Sequence, residues 1–563
     1  MQKKERRSLQ TWLAMLAWTL GWSVVLQFII IPLGRWVASA LFYQVNWPLV
    51  TISNLRLVIT HHPWALLGLI LELLIALGLT YWLISIWFQG IQALNRGRLM
   101  WMIWRPAPWP GFGIVMLTAV VCLPWVNLLY RTPLWSQIQL PVFILDFLPR
   151  HTWLWVTALM LYLLAVCLLY RWVLALPLIL AQPAPVSSLR KSWQVTRGRA
   201  GGRIWGRIMS AVMWPTLVLW LIYGLVRELP VGKFSSSSMV GLIAFLQLIS
   251  ELALAIVLIR LALRLIKLTQ SSENEAVKPA SWQWSWLLLM GLILLGGKSY
   301  WQSQTINRLA VKAPIVISHR GVDGRNGVQN TLPAFLQTIR TSHPDYVEID
   351  VHETKDSHFI VLHDDNLKKL AGLNKRPRQL TLAQLQKLTV TEKGYQAKLV
   401  SLDQYLKTAQ QHHQKLIVEL KTTSQDSPSM VKEFTQHYAK TLVADHDLVH
   451  SLDYQALKKV QKYAPQAPIL DIQGYNLMNP RSSLRAYTME YGSLNSRFIQ
   501  QVHANHQQVF AWTVDSPMMM RRMILLGVDG IVTDHPSRLR QVWHQIQKLN
   551  HNRLVLWSYL SSF

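Results

Sequence analysis

The chain of 563 residues carries 56 Lys+Arg against 28 Asp+Glu, is 51% hydrophobic, and contains 27 tryptophans but only two cysteines. Its length exceeds one ordinary domain, and Cys122 and Cys167 both fall in apolar runs, which excludes a disulfide framework or thiolate zinc site outside them. A net charge of +28 would suit a nucleic-acid binder, yet most of the excess flanks apolar stretches, so it reads as membrane topology and no nucleic-acid partner is expected.

The excess is uneven along the chain. Residues 1–303 hold 25 Lys+Arg, 7 Asp+Glu and 24 of the 27 tryptophans, and residues 304–563 hold 31 Lys+Arg and 21 Asp+Glu. Tryptophan gathers where its apolar body meets hydrocarbon and its N–H meets water, so residues 1–303 are expected to be a membrane domain. The start, MQKKERRSLQTWLAML, is basic like a secretion signal. Its apolar run continues to Pro32 without a small-residue cleavage site, which predicts an uncleaved first helix. Crossing about 30 Å of hydrocarbon takes roughly 20 helical residues. Seven stretches meet this: 12–33, 64–90, 110–130, 152–181, 206–227, 239–266 and 284–301, the last being the shortest. Segment 36–60 is too polar in its middle for a span and is expected to be interfacial or re-entrant.

Basic residues orient the spans. Lys3, Lys4, Arg6 and Arg7 precede the first; Arg96, Arg98 and Arg105 join the second to the third. Arg190, Lys191, Arg197, Arg199 and Arg203 join the fourth to the fifth, and Arg264, Lys267 and Lys278 flank the connection to the seventh. The alternate connections hold Arg35 and Arg56, then Arg131 and Arg150, then Lys233 alone. A cytoplasmic N-terminus follows, and an odd number of spans places everything after residue 303 on the extracytoplasmic side of the cell membrane. Glu72, Glu251, Arg171 and Arg260 lie within or near spans. Such charges are functional suspects, with a structural Glu–Arg pair between helices, or arginines snorkelling from the span ends, as the plainer expectation.

Segment 268–283 (LTQSSENEAVKPASWQ) is a polar linker into the last span. Beyond residue 313, short apolar strands alternate with amphipathic helices. Strands are predicted at 313–318, 346–351, 415–420, 448–452, 468–472, 487–491, 508–514 and 530–534. Helices are predicted at 332–341, 402–413, 428–440, 454–463, 496–506, 516–526 and 536–549. Eight strand–helix units imply an α/β (β/α)8 TIM barrel over residues 304–563, following an all-α polytopic membrane domain.

In that fold, functional groups gather at the carboxyl ends of the strands. His319 and Arg320 follow the first strand, while Glu348 and Asp350, two apart, end the second on one face. Glu419 and Lys421 end the third, Trp512 sits late in the seventh, and His363 ends a further apolar run. Three carboxylates suit one hard divalent cation, Ca²⁺ or Mg²⁺. Arg320 and Lys421 suit a phosphate, and two imidazoles suit proton transfer near neutral pH. Together they point to metal-assisted cleavage of a phosphate ester, one imidazole deprotonating the nucleophile and the other protonating the leaving alkoxide. His352, His358, His412, His413 and His503 are expected at the surface.

The ordered series HRG, NTLPAF, YVEIDVHETKD, VLHDD, VELK, AWTVD and GVDGIVTDHP resembles the glycerophosphodiester phosphodiesterases, and the whole chain resembles their membrane-anchored bacterial type. The resemblance implies His319 and His363 as the acid–base pair, Glu348, Asp350 and Glu419 as metal ligands, and Arg320 and Lys421, with Trp512, on the substrate side. It implies a glycerophosphodiester as substrate, cleaved to glycerol 3-phosphate and an alcohol; anchoring at a bilayer leaves a lipid head group or a polyglycerol-phosphate wall polymer as the alternative. The oligomeric state is left open. The family usually has PENT where this chain has VQNT, so Gln329 stands in place of a glutamate. Loss of that charge would weaken metal binding or alter substrate handling or, in the extreme, leave a non-catalytic phosphodiester-binding or regulatory module. Asn330 and Thr331 are expected to cap the next helix. The short basic stretch after His363 (LKKLAGLNKRPRQL) predicts an open mouth.

Overall fold

The computed structural model describes residues 2–34, 36, 63–96, 111–129, 152–181, 185–269, 283–307, 312–474, 484–494 and 496–561. Helices stand where each of the seven spans was predicted. They are α1 (Gln2–Val25, continued by a π-helical turn Leu26–Ile30), α2 (Pro63–Asn95), α3 (Gly111–Leu129), α4 (Thr152–Trp172, followed by short α5, Ala175–Ala181), α7 (Arg199–Arg227), α8 (Ser236–Thr269) and α9 (Gln283–Asn307). The basic connection before α7 forms α6 (Pro185–Val195). Among the described residues, four segments are long and apolar enough to cross a membrane: Leu9–Gly34, Trp153–Trp172, Arg199–Arg227 and Ser236–Thr269. The 36–60 segment lies outside the described residues except for Trp36.

Large apolar residues on these helices remain exposed, Trp153, Leu225 and Ile293 among them, as a hydrocarbon solvent permits. Inside the bundle, Ala14 and Met15 of α1 meet Phe88 and Ile91 of α2 and Ile259 and Ala262 of α8. Among the described residues no Glu–Arg pair joins these helices, and Glu251 and Arg171 have other partners. Buried Glu251 accepts hydrogen bonds from Ser23 Oγ (3.2 Å) and Gln27 Nε2 (3.0 Å), and Lys298 Nζ donates to Gln27 Oε1. Arg171 donates to the Thr196 carbonyl at 2.6 Å and lies over the Trp193 ring at 4.5 Å. Apolar surroundings make any nearby polar group a strong partner, so both of these ions are satisfied locally.

All eight predicted barrel strands form. They are β1 (Ile315–Ser318), β2 (Tyr346–Glu353), β6 (Leu416–Leu420), β7 (Leu448–Ser451), β8 (Ile469–Gln473), β9 (Ala486–Glu490), β10 (Gln508–Trp512) and β11 (Gly530–Thr533). They pair in parallel in the order β1-β11-β10-β9-β8-β7-β6-β2, and β1 also pairs with β2, closing the barrel. The helices between them are α10 (Leu332–Ser342), α13 (Leu402–Gln411), α14 (Met430–Ala444), α15 (Tyr454–Tyr463), α16 (Ser496–Ala504), α17 (Pro517–Leu526) and α18 (Pro536–Gln547). Ile317, Ile417, Leu448, Leu470, Ala486, Phe510 and Val532 pack inside the barrel as an apolar floor. Side chains two residues further along the same strands point the same way, so they stand above that floor, at the mouth.

The stretch after His363 departs from expectation. It folds as a cap: α11 (Lys368–Ala371), α12 (Leu382–Lys387) and the antiparallel hairpin β4 (Thr389–Glu392) and β5 (Tyr395–Lys398). Its own core of Leu367, Leu370, Leu380, Leu385, Val390 and Leu399 sits on Ile360 and Leu362, the former in β3 (Phe359–Val361). Lys368, Lys369, Lys375 and Arg376 are its exposed shell, Arg378 turns inward to buried Glu353 at 3.1 Å, and leucines spaced between them supply the core.

A further helix beyond the predicted elements, α19 (His551–Ser561), joins the two halves. Leu554 packs with Leu525 and Leu526 of α17, whereas Val555, Leu556 and Tyr559 pack with Leu219 and Tyr223 of α7 and Met239 and Ile243 of α8. Asn552 Nδ2 donates to the carbonyls of Val231 (3.0 Å) and Phe234 (2.8 Å) in the connection between α7 and α8. Helix α9 runs to Asn307 and leads into the amino end of β1 at Ile315; α19 follows α18, which returns from the carboxyl end of β11. Both attachments to the membrane helices therefore lie at the amino ends of the barrel strands.

Candidate active site

The HRG turn begins where β1 ends. Arg320 adopts a left-handed conformation (φ 55°), uncommon for a residue with a side chain. In return its backbone N–H donates to Glu348 Oε2 at 3.0 Å, Nη1 donates to Gln329 Oε1 at 2.5 Å, and Nε lies 3.5 Å from Asp350 Oδ2. Gly321 follows at φ +70°, and a Cβ there would meet Tyr405 Oη at 2.8 Å, so the third position of the motif requires glycine.

The two predicted catalytic histidines share one mouth and one mode of support. His319 Nδ1 lies 2.7 Å from Asp534 Oδ1, and His363 Nδ1 lies 2.9 Å from Asp364 Oδ1. A carboxylate at Nδ1 selects the tautomer that leaves Nε2 for chemistry. Their surroundings push them apart. At His319, burial is the largest influence and acts downward with Arg320, but the Asp534 hydrogen bond and the charges of Asp534 and Glu348 outweigh both, so its pKa is raised. At His363, burial is again largest and, with Arg320 and Lys421, prevails over Asp364 and Asp350, so its pKa is lowered.

The carboxylates divide. In register, Asp350 on β2, Glu419 on β6 and His450 on β7 stand side by side. Asp350, 1% exposed, accepts a hydrogen bond from Asn330 Nδ2 (2.8 Å) and faces Lys421 Nζ (3.4 Å). Burial would raise it, yet Lys421 and Arg320 hold it well below the usual carboxylate range. Glu419 lies 3.4 Å from Lys421 Nζ, but burial dominates and pushes its carboxyl up to about 7. The ligand atoms that converge, all within 4.8 Å, belong to buried Glu348, Glu419 and His450. Two carboxylates and an imidazole with no hydrogen-bonded counterpart on its ring nitrogens fit a divalent ion. Trp512 is half-buried at the mouth, its Nε1 donating to the Thr488 carbonyl at 2.8 Å.

Several expectations are corrected here. Asn330 and Thr331 do not cap α10 with their side chains: Asn330 is spent on Asp350, and Thr331 Oγ1 donates back to Val328 O at 2.7 Å. Gln329 Oε1 accepts from Arg320 Nη1 and its Nε2 donates to Glu392 Oε1 at 3.2 Å, so a carboxylate from the cap hairpin stands beside the position where the family has a glutamate. His352 is buried, and a ring nitrogen lies 3.2 Å from the His363 carbonyl. His450, Asp534 and Asp364 were not singled out from sequence. His450 was readable, because it follows Leu448 by two in a strand whose leucine faces the floor.

Comparison with known proteins follows the same division. Residues 2–295 match the family model described as the membrane domain of glycerophosphoryl diester phosphodiesterase, and residues 319–538 match the glycerophosphoryl diester phosphodiesterase family. A glycerophosphodiester phosphodiesterase of Caldanaerobacter subterraneus is 28% identical over 234 residues, 40% of this chain and 96% of that protein. One of Bacillus altitudinis is 25% identical, over 41% of this chain and 99% of that protein. Among solved structures, an Oleispira antarctica phosphodiesterase in complex with the product sn-glycerol-3-phosphate is 19% identical, with a TM-score of 0.36, covering 41% of this chain and 97% of that one.

Proposed function

From the premise that the chain belongs to the glycerophosphoryl diester phosphodiesterase family, as a membrane-anchored phosphoric diester hydrolase, we propose that it hydrolyses glycerophosphodiesters to glycerol 3-phosphate and an alcohol. In this reading residues 1–303 anchor the enzyme and residues 304–563 carry the chemistry. The observation that carries the mechanism is the pair of imidazoles at one mouth, each braced at Nδ1 by its own aspartate and shifted in opposite directions. Opposite shifts divide acid from base.

His363, held toward the neutral form, accepts the proton of the attacking oxygen. His319, held toward the imidazolium, donates a proton to the leaving alkoxide. Arg320 and Lys421 grip the non-bridging phosphoryl oxygens, and Trp512 offers an apolar wall to the rest of the diester. A divalent ion bound by the site carboxylates would neutralise developing phosphoryl charge. The arginine asymmetry of the loops supports a cytoplasmic N-terminus and an extracytoplasmic barrel. The barrel's contact with the connection between α7 and α8, whose one lysine is Lys233, agrees with it.

The test is an assay of the purified full chain against a panel of glycerophosphodiesters, with glycerol 3-phosphate quantified. Hydrolysis should vanish in excess chelator and return with added divalent metal, and Glu348→Gln should abolish it while circular dichroism stays unchanged. Full activity in chelator would remove the metal from the mechanism; no turnover of any diester would remove the substrate assignment. A reporter fused after residue 303 should signal only outside the cytoplasm, and a cytoplasmic signal would invert the topology.

A further inference from the structure

We infer that His450 is a nitrogen ligand of the site metal, so that the ion is a borderline first-row cation of the Mn²⁺ or Zn²⁺ class in preference to Ca²⁺ or Mg²⁺. The inference rests on the metal-assisted reading above and changes which ion that reading takes.

Four observations carry it. His450 is 3% exposed, and both of its ring nitrogens are buried without a hydrogen-bond partner. A buried imidazole ordinarily bonds through at least one nitrogen, and leaving both unmet is costly. The carboxylate it faces, Glu348 Oε1, stands 3.7 Å from Nε2, beyond hydrogen-bond reach. A ligand atom of the ring lies within 4.8 Å of those of Glu348 and Glu419, near enough for small side-chain rotations to bring all three onto one ion. The strand register makes this placement a product of the fold, because Glu419 and His450 are direct neighbours across β6 and β7.

Asp350, by contrast, accepts a hydrogen bond from Asn330 at Oδ2 and faces the cations Arg320 and Lys421, and although its Oδ1 is also buried without a hydrogen bond, it stands outside the trio. An all-oxygen site selects hard cations, whereas exchanging one carboxylate for imidazole moves preference toward ions that accept nitrogen. A purely structural histidine would instead satisfy a ring nitrogen on a neighbour, as His352 does on the His363 carbonyl.

The probe is Mn²⁺ itself, added to the full chain purified in detergent and stripped of metal. Pulsed electron paramagnetic resonance reads ligand nitrogen directly as ¹⁴N modulation of the Mn²⁺ echo, with no catalysis involved. Wild-type protein should show that modulation, and His450→Gln should lose it. The same variant should weaken Mn²⁺ binding on the order of 10–100-fold, the range produced by loss of even an indirect metal partner, while Ca²⁺ binding changes by less than a factor of about three. Bound Mn²⁺ without nitrogen modulation in the wild type would overturn this inference alone. No bound divalent ion at all would overturn it together with the metal-assisted mechanism. Because the wild-type signal needs no variant, a misfolded His450→Gln would not rescue the idea.

Discussion

Asp534 sets the protonation of His319 across 2.7 Å. If His319 is the acid, activity needs it protonated and is lost as pH rises through its raised pKa; if His363 is the base, activity is lost as pH falls through its lowered one. The plateau of kcat/KM therefore straddles the ordinary histidine value of about 6.5. Asp534→Asn removes the charge that raises His319, so the alkaline limb should move to lower pH while the acid limb stays. A profile that only loses height would show that Asp534 merely positions the ring. Replacing either histidine with alanine should slow turnover of a natural diester by about 10²–10⁴-fold. On a p-nitrophenyl ester, whose leaving group needs no proton, His319→Ala should recover much of its rate and His363→Ala should not. Recovery in the second variant would reverse the two roles.

The elements were read more surely than the contacts between them. Each barrel strand announced itself by a short apolar run, and the side chains two apart at its end were placed on one face by alternation alone. What the sequence hid were partners from distant segments: Asp534 lies 215 residues from His319, and no local pattern pairs them. The cap was hidden for another reason, since its leucines are thinly spread among lysines and arginines and resemble a solvated loop until they meet Ile360 and Leu362. That cap places Glu392 against Gln329, with the Gln329 backbone N–H donating to Glu392 Oε2 at 3.1 Å. A second carboxylate at position 329 would face the first. Gln329→Glu combined with Glu392→Gln should thus be more stable than Gln329→Glu alone by on the order of 1 kcal/mol. Equal melting temperatures for the two would mean that the hairpin simply swings away.

At the scale of the whole molecule, the apolar helices and the barrel read as two separate entities in sequence, because α19 follows the last barrel element and carries no motif. Its Tyr559 is fully buried among helices α7 and α8, and it stands beside the amino ends of the strands. Under the proposed reading, in which helices α7 and α8 span a bilayer, the barrel rests on its base with the opening turned from the membrane, and this governs how substrate arrives. A diester dissolved in the surrounding water reaches the opening by diffusion in three dimensions. A head group in the enzyme's own leaflet gains nothing from sharing that surface, because lateral diffusion delivers it to the wrong end. With the full chain in vesicles, a water-soluble glycerophosphodiester should be consumed, while a lysophospholipid in the same bilayer should be cleaved no faster than one offered on separate, enzyme-free vesicles. Preferential cleavage within the enzyme's own vesicle would mean that the opening can reach down to the membrane that holds it.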